Sequence, residues 1–575
     1  MPGVDPRREF PRRFVPPDAN PGRWEEIERL GQALLRRSPT TPDGLARWLE
    51  DASELGAAVA EEGARRYIAM TSQTDDPERE RAHLDFVREI TPRWKQLDHR
   101  LDEAYLASPH RRALPERYRV LDRKVENRVA LYREENLPLQ VAEEEMEQQY
   151  QKLRGAMTVV FRGQEYTLEQ LSRFLEDPDR SVRQEAWVLV AERTRRDREA
   201  LEDLFDRLRD LRLRIARNAG FDSFRDYAFR ARERFDYGPE DCRRFHEAVE
   251  ACFVPLTERV MKERQRLLGV EALRPWDLDV DPLRRAPLPE FDRTEDLLGR
   301  CEAVFRKVHP EFGDVFRFMR DQGLFDLERR KGKAPGGYQE TLDERRWPFI
   351  FANVPAADDV RVLLHESGHA FHAVAAREEP LIAYRHAPLE FAEVASMGME
   401  LLAAPHFDLI YPSVEHARRA SRELLEGVLV PRGMPWIATV DAFQHWLYTH
   451  PAHTPEERRR AWLETYGRFN RAVDWTGYED ALAYFWHRQL HIFLAPFYYI
   501  EYGVAQLGAL QVWLQATRSD SGEAVARYRG ALALGGSRPL PQLFEAAGAR
   551  LAFGAETMAP LAEALGEALA RLPYA

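Results

Sequence analysis

Apolar residues recur at three- and four-residue spacing between charged ones over 24–37, 78–105, 113–154, 181–219, 240–268 and 294–322. That spacing follows the α-helical period and predicts amphipathic helices. Proline and glycine punctuate the pattern, as at Pro92 and Gly220. Strand signals are few. Met157 to Leu168, MTVVFRGQEYTL, sets β-branched and aromatic residues around Gly163 and predicts a hairpin. The prolines and aspartates of LRPWDLDVDP predict a loop. Pro335 to Val354, PGGYQETLDERRWPFIFANV, carries glycines and then the apolar run Phe349-Ile350-Phe351, and predicts a small hairpin or an edge strand. Arg361 to Arg377 has no proline and is rich in leucine, alanine and valine, so it reads as helix. After Pro380 and Pro388, LEFAEVASMGMELLAAP reads as another. The expected class is mainly α, with no fixed-period repeat.

Composition narrows the function classes. The chain has 575 residues, 44% hydrophobic and 31% charged, as expected for a soluble globular protein large enough for several cores. A net charge of -12 argues against nucleic acid as the main partner, because phosphate binding needs a basic field. The basic cluster Arg329, Arg330, Lys331 and Lys333 reads as a solvated loop. No apolar stretch follows the charges of MPGVDPRREFPRRF, so no secretory signal is expected. No run of 18 or more apolar residues predicts a membrane span. Cys242, Cys252 and Cys301 form no metal-type spacing; they fit a reducing cytoplasm and read as small core hydrophobes.

The chemistry concentrates at Leu363 to His372, LLHESGHAFH. On a helix, His365 and His369 are four apart and share a face, so two imidazoles can reach one tetrahedral zinc. Glu366 stands beside the first ligand, where it can take a proton from zinc-bound water. This is the HExxH pattern. Gly368 costs a helix interior roughly 1 kcal/mol against alanine, which predicts close packing on that face. His372 is not the third histidine of the metzincin pattern, which would fall at Ala375, and reads as a histidine that supports a ligand from behind or packs. A third ligand is still required. Glu390, Glu393 and Glu400 form a carboxylate stripe on the next helix, and spacing alone does not choose among them.

Trp486 to Leu510, WHRQLHIFLAPFYYIEYGVAQLGAL, sets His487, His491, Tyr498, Tyr499 and Tyr502 among apolar residues. Such groups can donate hydrogen bonds to a developing oxyanion, or simply form an aromatic core stripe. A strand just before the histidine helix could align an extended peptide by β-augmentation, or be a plain structural hairpin.

These motifs together resemble the M3 family of zinc metallopeptidases, in its oligoendopeptidase F-like branch. The likeness rests on DDVRVLLHESGHAFH and EFAEVASMGMELL, supported by KAPGGYQ, PFIFANV, RPWDLDVDP, HIFLAPFYYIEYGVAQLGALQ, DPDRSVRQEAW and RNAGFDSFRDYAF. It runs from about residue 60 to the end and leaves residues 1–60 as an N-terminal extension. It implies an N-terminal helical region over 61–185, with the hairpin near 157–168, and a catalytic region over 186–575. The implied fold is a two-lobed helical metallopeptidase with a long substrate channel and a small sheet near the active site. The resemblance implies one Zn²⁺ per chain, held by His365, His369 and Glu393, with Glu366 as general base. His491, Tyr498 and Tyr502 would assist at the transition state, and Gly336, Gly337, Tyr338 and Tyr499 would bind substrate. Ser367 stands where phenylalanine or leucine is more usual. The expected activity is zinc-dependent endopeptidase hydrolysis of short unstructured peptides through a metal-bound water. Neither nucleic acid nor membrane is expected as a partner, the expected location is cytoplasmic, and the sequence sets no oligomeric state. The rivals are a peptidase releasing dipeptides from a chain end and a peptide-binding protein with a structural zinc.

Overall fold

A computed structural model describes residues 5–289, 291, 293–354, 359–518 and 521–574. The chain is mostly helical, as the periodicity predicts, with small sheets. Among the described residues the strands are β1 (Thr158–Phe161), β2 (Gln164–Thr167), β3 (Phe325–Glu328), β4 (Tyr338–Leu342) and β5 (Trp347–Val354). Among the described residues no helix is long and apolar enough to cross a membrane. The chain divides into two compact units. Unit 1 is Met1–Val129, Leu288–Leu424 and Ala505–Leu551; unit 2 is Ala130–Pro287, Leu425–Val504 and Ala552–Ala575.

In unit 1 the first helices, Trp24–Leu35 and Pro42–Ser72, bury apolar residues at helical spacing, such as Ile27, Leu30 and Leu34. The second begins where the Thr41 hydroxyl accepts the Gly44 N–H at 3.0 Å and Pro42 presets the first turn. These helices pack with Thr91–Leu106 around Trp48, Leu97 and Tyr105. Pro92 does not break the chain's helical course. A wider π-helical turn, Phe86–Ile90, precedes it, and the proline sits in the first turn of the next helix, where its missing N–H costs no bond. The continuous pattern over 294–322 does divide. His309 is extended (φ -160°, ψ 135°) because Pro310 follows it, and helices Thr294–Val308 and Pro310–Asp321 meet there.

The three-stranded sheet has the order β3-β5-β4, with β3 parallel and β4 antiparallel to β5. Central β5 buries Ile350 and Phe351 completely, which explains a continuous apolar run where a half-exposed strand would alternate. The helices that follow include the histidine helix, Asp359–Ala375, and the glutamate helix, Leu389–Ala403. Phe371 of the first packs against Phe305 and Phe312, with ring centroids 4.9 and 4.8 Å away. At Gly368 the two helices approach almost backbone to backbone. A Cβ there would lie 2.6 Å from both the Ala395 carbonyl oxygen and the Ser396 Cα. This is the close packing that a mid-helix glycine predicts.

In unit 2, β1 and β2 form a hairpin in which Phe161 pairs with Gln164. Arg162 (φ 50°) and Gly163 (φ 85°) are both left-handed, the two-residue turn that matches strand twist. The long helices Pro239–Leu268 and Met434–Thr449 pack against each other. Aromatic residues fill this unit: Phe443 meets Trp462 at 5.1 Å, and Trp486 stacks on Phe493 at 5.5 Å.

Candidate active site

The histidine and glutamate helices bring three ligand-type side chains together in unit 1. The ligand atoms of His365, His369 and Glu393 all lie within 4.8 Å of one another. Glu393 Oε2 is 3.3 Å from His365 Nε2 and 3.8 Å from His369 Nε2. A tetrahedral zinc with bonds of about 2.0–2.2 Å holds its ligand atoms about 3.3 Å apart, close to the two distances from Glu393, so these residues suit the ion. The Gly368 approach makes that geometry reachable, because a wider helix spacing would carry Glu393 away from both rings.

The neighbours fix each ligand. His365 Nδ1 lies 2.7 Å from Glu400 Oε1, and Arg361 Nε donates to the other Glu400 oxygen at 2.7 Å. The His369 ring donates to the Ala392 carbonyl. The Ser396 hydroxyl donates to Glu393 Oε2 at 3.0 Å. These outer bonds hold the nitrogens that face Glu393 in place. Burial opposes charge on His365, but its bonds to Glu393 and Glu400 outweigh it and raise the pKa to about 10. Burial keeps His369 neutral, down to about 4, against the pull of Glu393. Burial would raise Glu393, yet His365, His369 and Ser396 hold it below the usual carboxylate range. The carboxylates around the two rings make this a centre that favours positive charge.

Glu366 stands outside the ligand triangle. It is 8% exposed, and burial pushes its carboxyl up to about 7 against the attraction of His365. The backbone N–H of Gln339, on β4, donates to it. Nearby, Gly337 comes so close to the histidine helix that a Cβ would sit 2.9 Å from Val362 Cγ1. Gly336 is left-handed (φ 89°), and its carbonyl accepts from Asn353 Nδ2 at 2.9 Å. The Tyr338 ring stacks on Phe351 at 4.9 Å, and its hydroxyl lies 2.6 Å from Thr71 Oγ1. His372 is buried against Phe391, with ring centroids 5.9 Å apart. Ser367 is fully buried and returns its hydroxyl to the Leu363 carbonyl at 2.6 Å, so a polar residue is tolerated there.

His491, Tyr498, Tyr499 and Tyr502 gather in unit 2. His491 lies 5.6 Å from the Tyr498 ring, 4.8 Å from Tyr499 and 6.0 Å from Tyr502. Trp436 Nε1 can only donate and points at Gln489 Oε1 at 3.0 Å. The Gln489 amide nitrogen therefore faces His491 Nδ1, at 2.7 Å. Nδ1 accepts, and Nε2 carries the proton. Burial, helped by the charge of Arg232, lowers His491 to about 4 and keeps that neutral donor form. The Tyr499 hydroxyl is bonded to Trp436 and Gln489, in the same framework.

Motif reasoning passed over Arg361, Gln339, Ser396 and the role of Glu400. Two of these left a signal: Arg361 is four residues before His365, and Glu400 is seven after Glu393, on the same face. Gln339 left none, because its contribution is a backbone N–H.

A model of peptidase family M3 matches residues 173–562, and one of the peptidase M3 N-terminal domain matches residues 21–129. An oligoendopeptidase F homolog of Lactococcus lactis subsp. lactis (strain IL1403) is 27% identical over 150 residues. The group B oligopeptidase PepB of Streptococcus agalactiae serotype III (strain NEM316) is 28% identical over 153 residues. Each alignment covers 26% of this chain and 24% of the relative, so the chain matches about a quarter of the length of these curated relatives. The solved structure of PZ peptidase A with inhibitor 2 has a TM-score of 0.86 and 27% identity, covering 97% of this chain and 99% of that one. With its family model spanning well over half of its length, and with the helical architecture of a solved peptidase, this chain belongs to peptidase family M3.

Proposed function

We propose that this chain is a zinc-dependent oligoendopeptidase that hydrolyses internal bonds of short, unstructured peptides. One observation carries the reading: Glu366 is a buried carboxylate on the same helical turn as His365, outside the ligand triangle. A purely structural metal site has no use for such a group. His365, His369 and Glu393 would hold the zinc, which when bound would supply a Lewis acid to polarise a carbonyl and make water more acidic. Glu366 takes a proton from the attacking water and returns it to the leaving amine. The Gln339 N–H orients its carboxylate for both transfers.

Among the described residues strand β4 pairs with β5 alone, so an extended peptide could add along its other edge, beside the Gln339 N–H that serves Glu366. Gly336 and Gly337 lead into that strand with no side chain to obstruct it. Tyr338, anchored by Thr71 and Phe351, stiffens its start. His491 is assigned as an oxyanion donor from the family motif and from the Nε2–H form that Gln489 imposes. Tyr498 and Tyr502 are assigned with it on the motif alone, and Tyr499 as a support of the same group. The names of both curated relatives, an oligoendopeptidase F homolog and an oligopeptidase, favour short substrates. A cytoplasmic location accompanies this reading, in keeping with free thiols at Cys242, Cys252 and Cys301.

The test is mass spectrometry of a peptide library, with blocked and free ends, digested by the full chain. Internal cuts in blocked peptides, abolished by chelator and restored by zinc, are expected. Cuts confined to free ends, or full activity in chelator, would overturn the reading.

A further inference from the structure

Unit 2 contains a second cluster of ligand-type residues. Helices Pro239–Leu268 and Met434–Thr449 each carry two such residues four apart: Cys242 and His246 on the first, Asp441 and His445 on the second. At that spacing each pair shares one helix face. The ligand atoms of Cys242, Asp441 and His445 all lie within 4.8 Å of one another. Cys242 and Asp441 are both 0% exposed. Phenylalanine rings wall the cluster: Phe229 and Phe497 lie 5.9 and 5.3 Å from the His445 ring, and Phe469 lies 6.5 Å from His246.

Hydrogen bonding accounts for only part of this arrangement. His246 Nε2 is 2.8 Å from Asp441 Oδ2. Asp441 Oδ1 is buried without a hydrogen-bond partner, and His445 Nε2 meets the other carboxylate oxygen only in a long contact of 3.5 Å. Among the described residues, the recorded ion pairs of Asp441 are with these two histidines. A buried carboxylate oxygen with no partner, beside an imidazole held only at long range and close to a thiol, costs free energy that an ion bound between them would recover.

We propose that Cys242, Asp441 and His445 form a second metal site, selective for zinc-like divalent ions, that clamps these two helices together. Thiolate, imidazole and carboxylate are the donors zinc takes, and the sulfur makes this set softer than the two histidines and glutamate of the first centre. On binding, the Cys242 S–H ionises, the Sγ–metal bond forms and the proton leaves to solvent, with no change of oxidation state. His246 stays behind Asp441 as the outer hydrogen bond that orients a ligating carboxylate. Ligand atoms around a tetrahedral zinc lie about 3.3–3.8 Å apart, so the cluster contracts by at most about 1.5 Å, within reach of side-chain rotation. Spacing along the chain hides the site, because its halves are two unremarkable i,i+4 pairs on helices far apart in sequence.

Cobalt is the probe, since a thiolate–cobalt bond gives a near-ultraviolet charge-transfer band and the first centre contains no cysteine. The full chain carrying His369→Ala, stripped of metal and reloaded with Co²⁺, is expected to show that band. The band should vanish when Cys242→Ser is added and persist when Cys252→Ser is added. Wild-type chain loaded with zinc and desalted should hold two ions per chain by elemental analysis. Absence of the thiolate band from cobalt-loaded wild-type chain, its survival in Cys242→Ser, or a single zinc per wild-type chain would overturn the proposal.

Discussion

Glu400 Oε1 lies 2.7 Å from His365 Nδ1, while Arg361 holds the other Glu400 oxygen at the same distance. A buried carboxylate thus fixes the ring that presents Nε2 to Glu393. Glu400→Gln keeps the shape and removes the charge, so metal affinity should fall by about 10–100-fold. Arg361 is 56% exposed, and Arg361→Ala should cost far less. Competition with a chromogenic chelator measures both.

Glu366→Gln should retain metal in full and lose about 10²–10⁴ in kcat, the range supplied by a positioned general base. Metal analysis and kinetics on the same preparation separate the two effects. Full activity with metal bound would remove Glu366 from the base role.

His491→Ala should lower kcat by about 10²–10³ with metal content unchanged, the cost of one oxyanion donor. If KM rises while kcat stays constant, His491 binds substrate uniformly and does not act on the transition state.

Gly368→Ala reverses the usual rule. Alanine for glycine in a helix interior ordinarily gains about 1 kcal/mol. Here the added methyl meets the backbone at Ala395 and Ser396, which cannot turn away as a flexible side chain would. A loss of about 1–3 kcal/mol in denaturant unfolding is expected, with weaker metal binding as the glutamate helix is pushed outward.

Asp326 gives a pH signature. Burial would raise its carboxyl, but bonds from Arg330 (2.5 and 2.6 Å), Ser72 (2.6 Å) and Lys333 (3.0 Å) outweigh that and lower it to about 2. A depressed carboxylate stabilises fully above its unfolded value near 4 and loses that contribution as pH falls through the folded value. Asp326→Asn should therefore cost about 1–2 kcal/mol at pH 7, with the gap to wild type closing between about pH 4 and pH 2. Chemical denaturation across that range tests it.

Much of the fold was legible because it is local. A helix-period pattern needs only neighbours to form, so the class and most helices could be read, including the histidine and glutamate helices. Breaks were legible where one residue decides, and less so where tertiary packing does. Pro92 reads as a stop, yet a π-helical turn before it carries the helix on. The pattern over 294–322 reads as continuous, yet Pro310 forces His309 out of the helix. At the candidate site, spacing placed His365 and His369 on one face but left Glu390, Glu393 and Glu400 equivalent. The fold separates them: Glu393 faces both rings, Glu400 sits behind His365, and Glu390, though buried, lies outside the ligand cluster.

The sequence by itself determined the helical class, the metal-type histidine pair, the adjacent glutamate and the family likeness, since each is written in residues a few positions apart. Only the tertiary structure decided how near the glutamate helix approaches, which backbone N–H meets Glu366, which nitrogen of His491 holds its proton, and that Cys242 lies beside Asp441 and His445. Those relations join elements distant along the chain. They depend on side-chain packing and on backbone groups that every residue carries alike, so no local pattern records them.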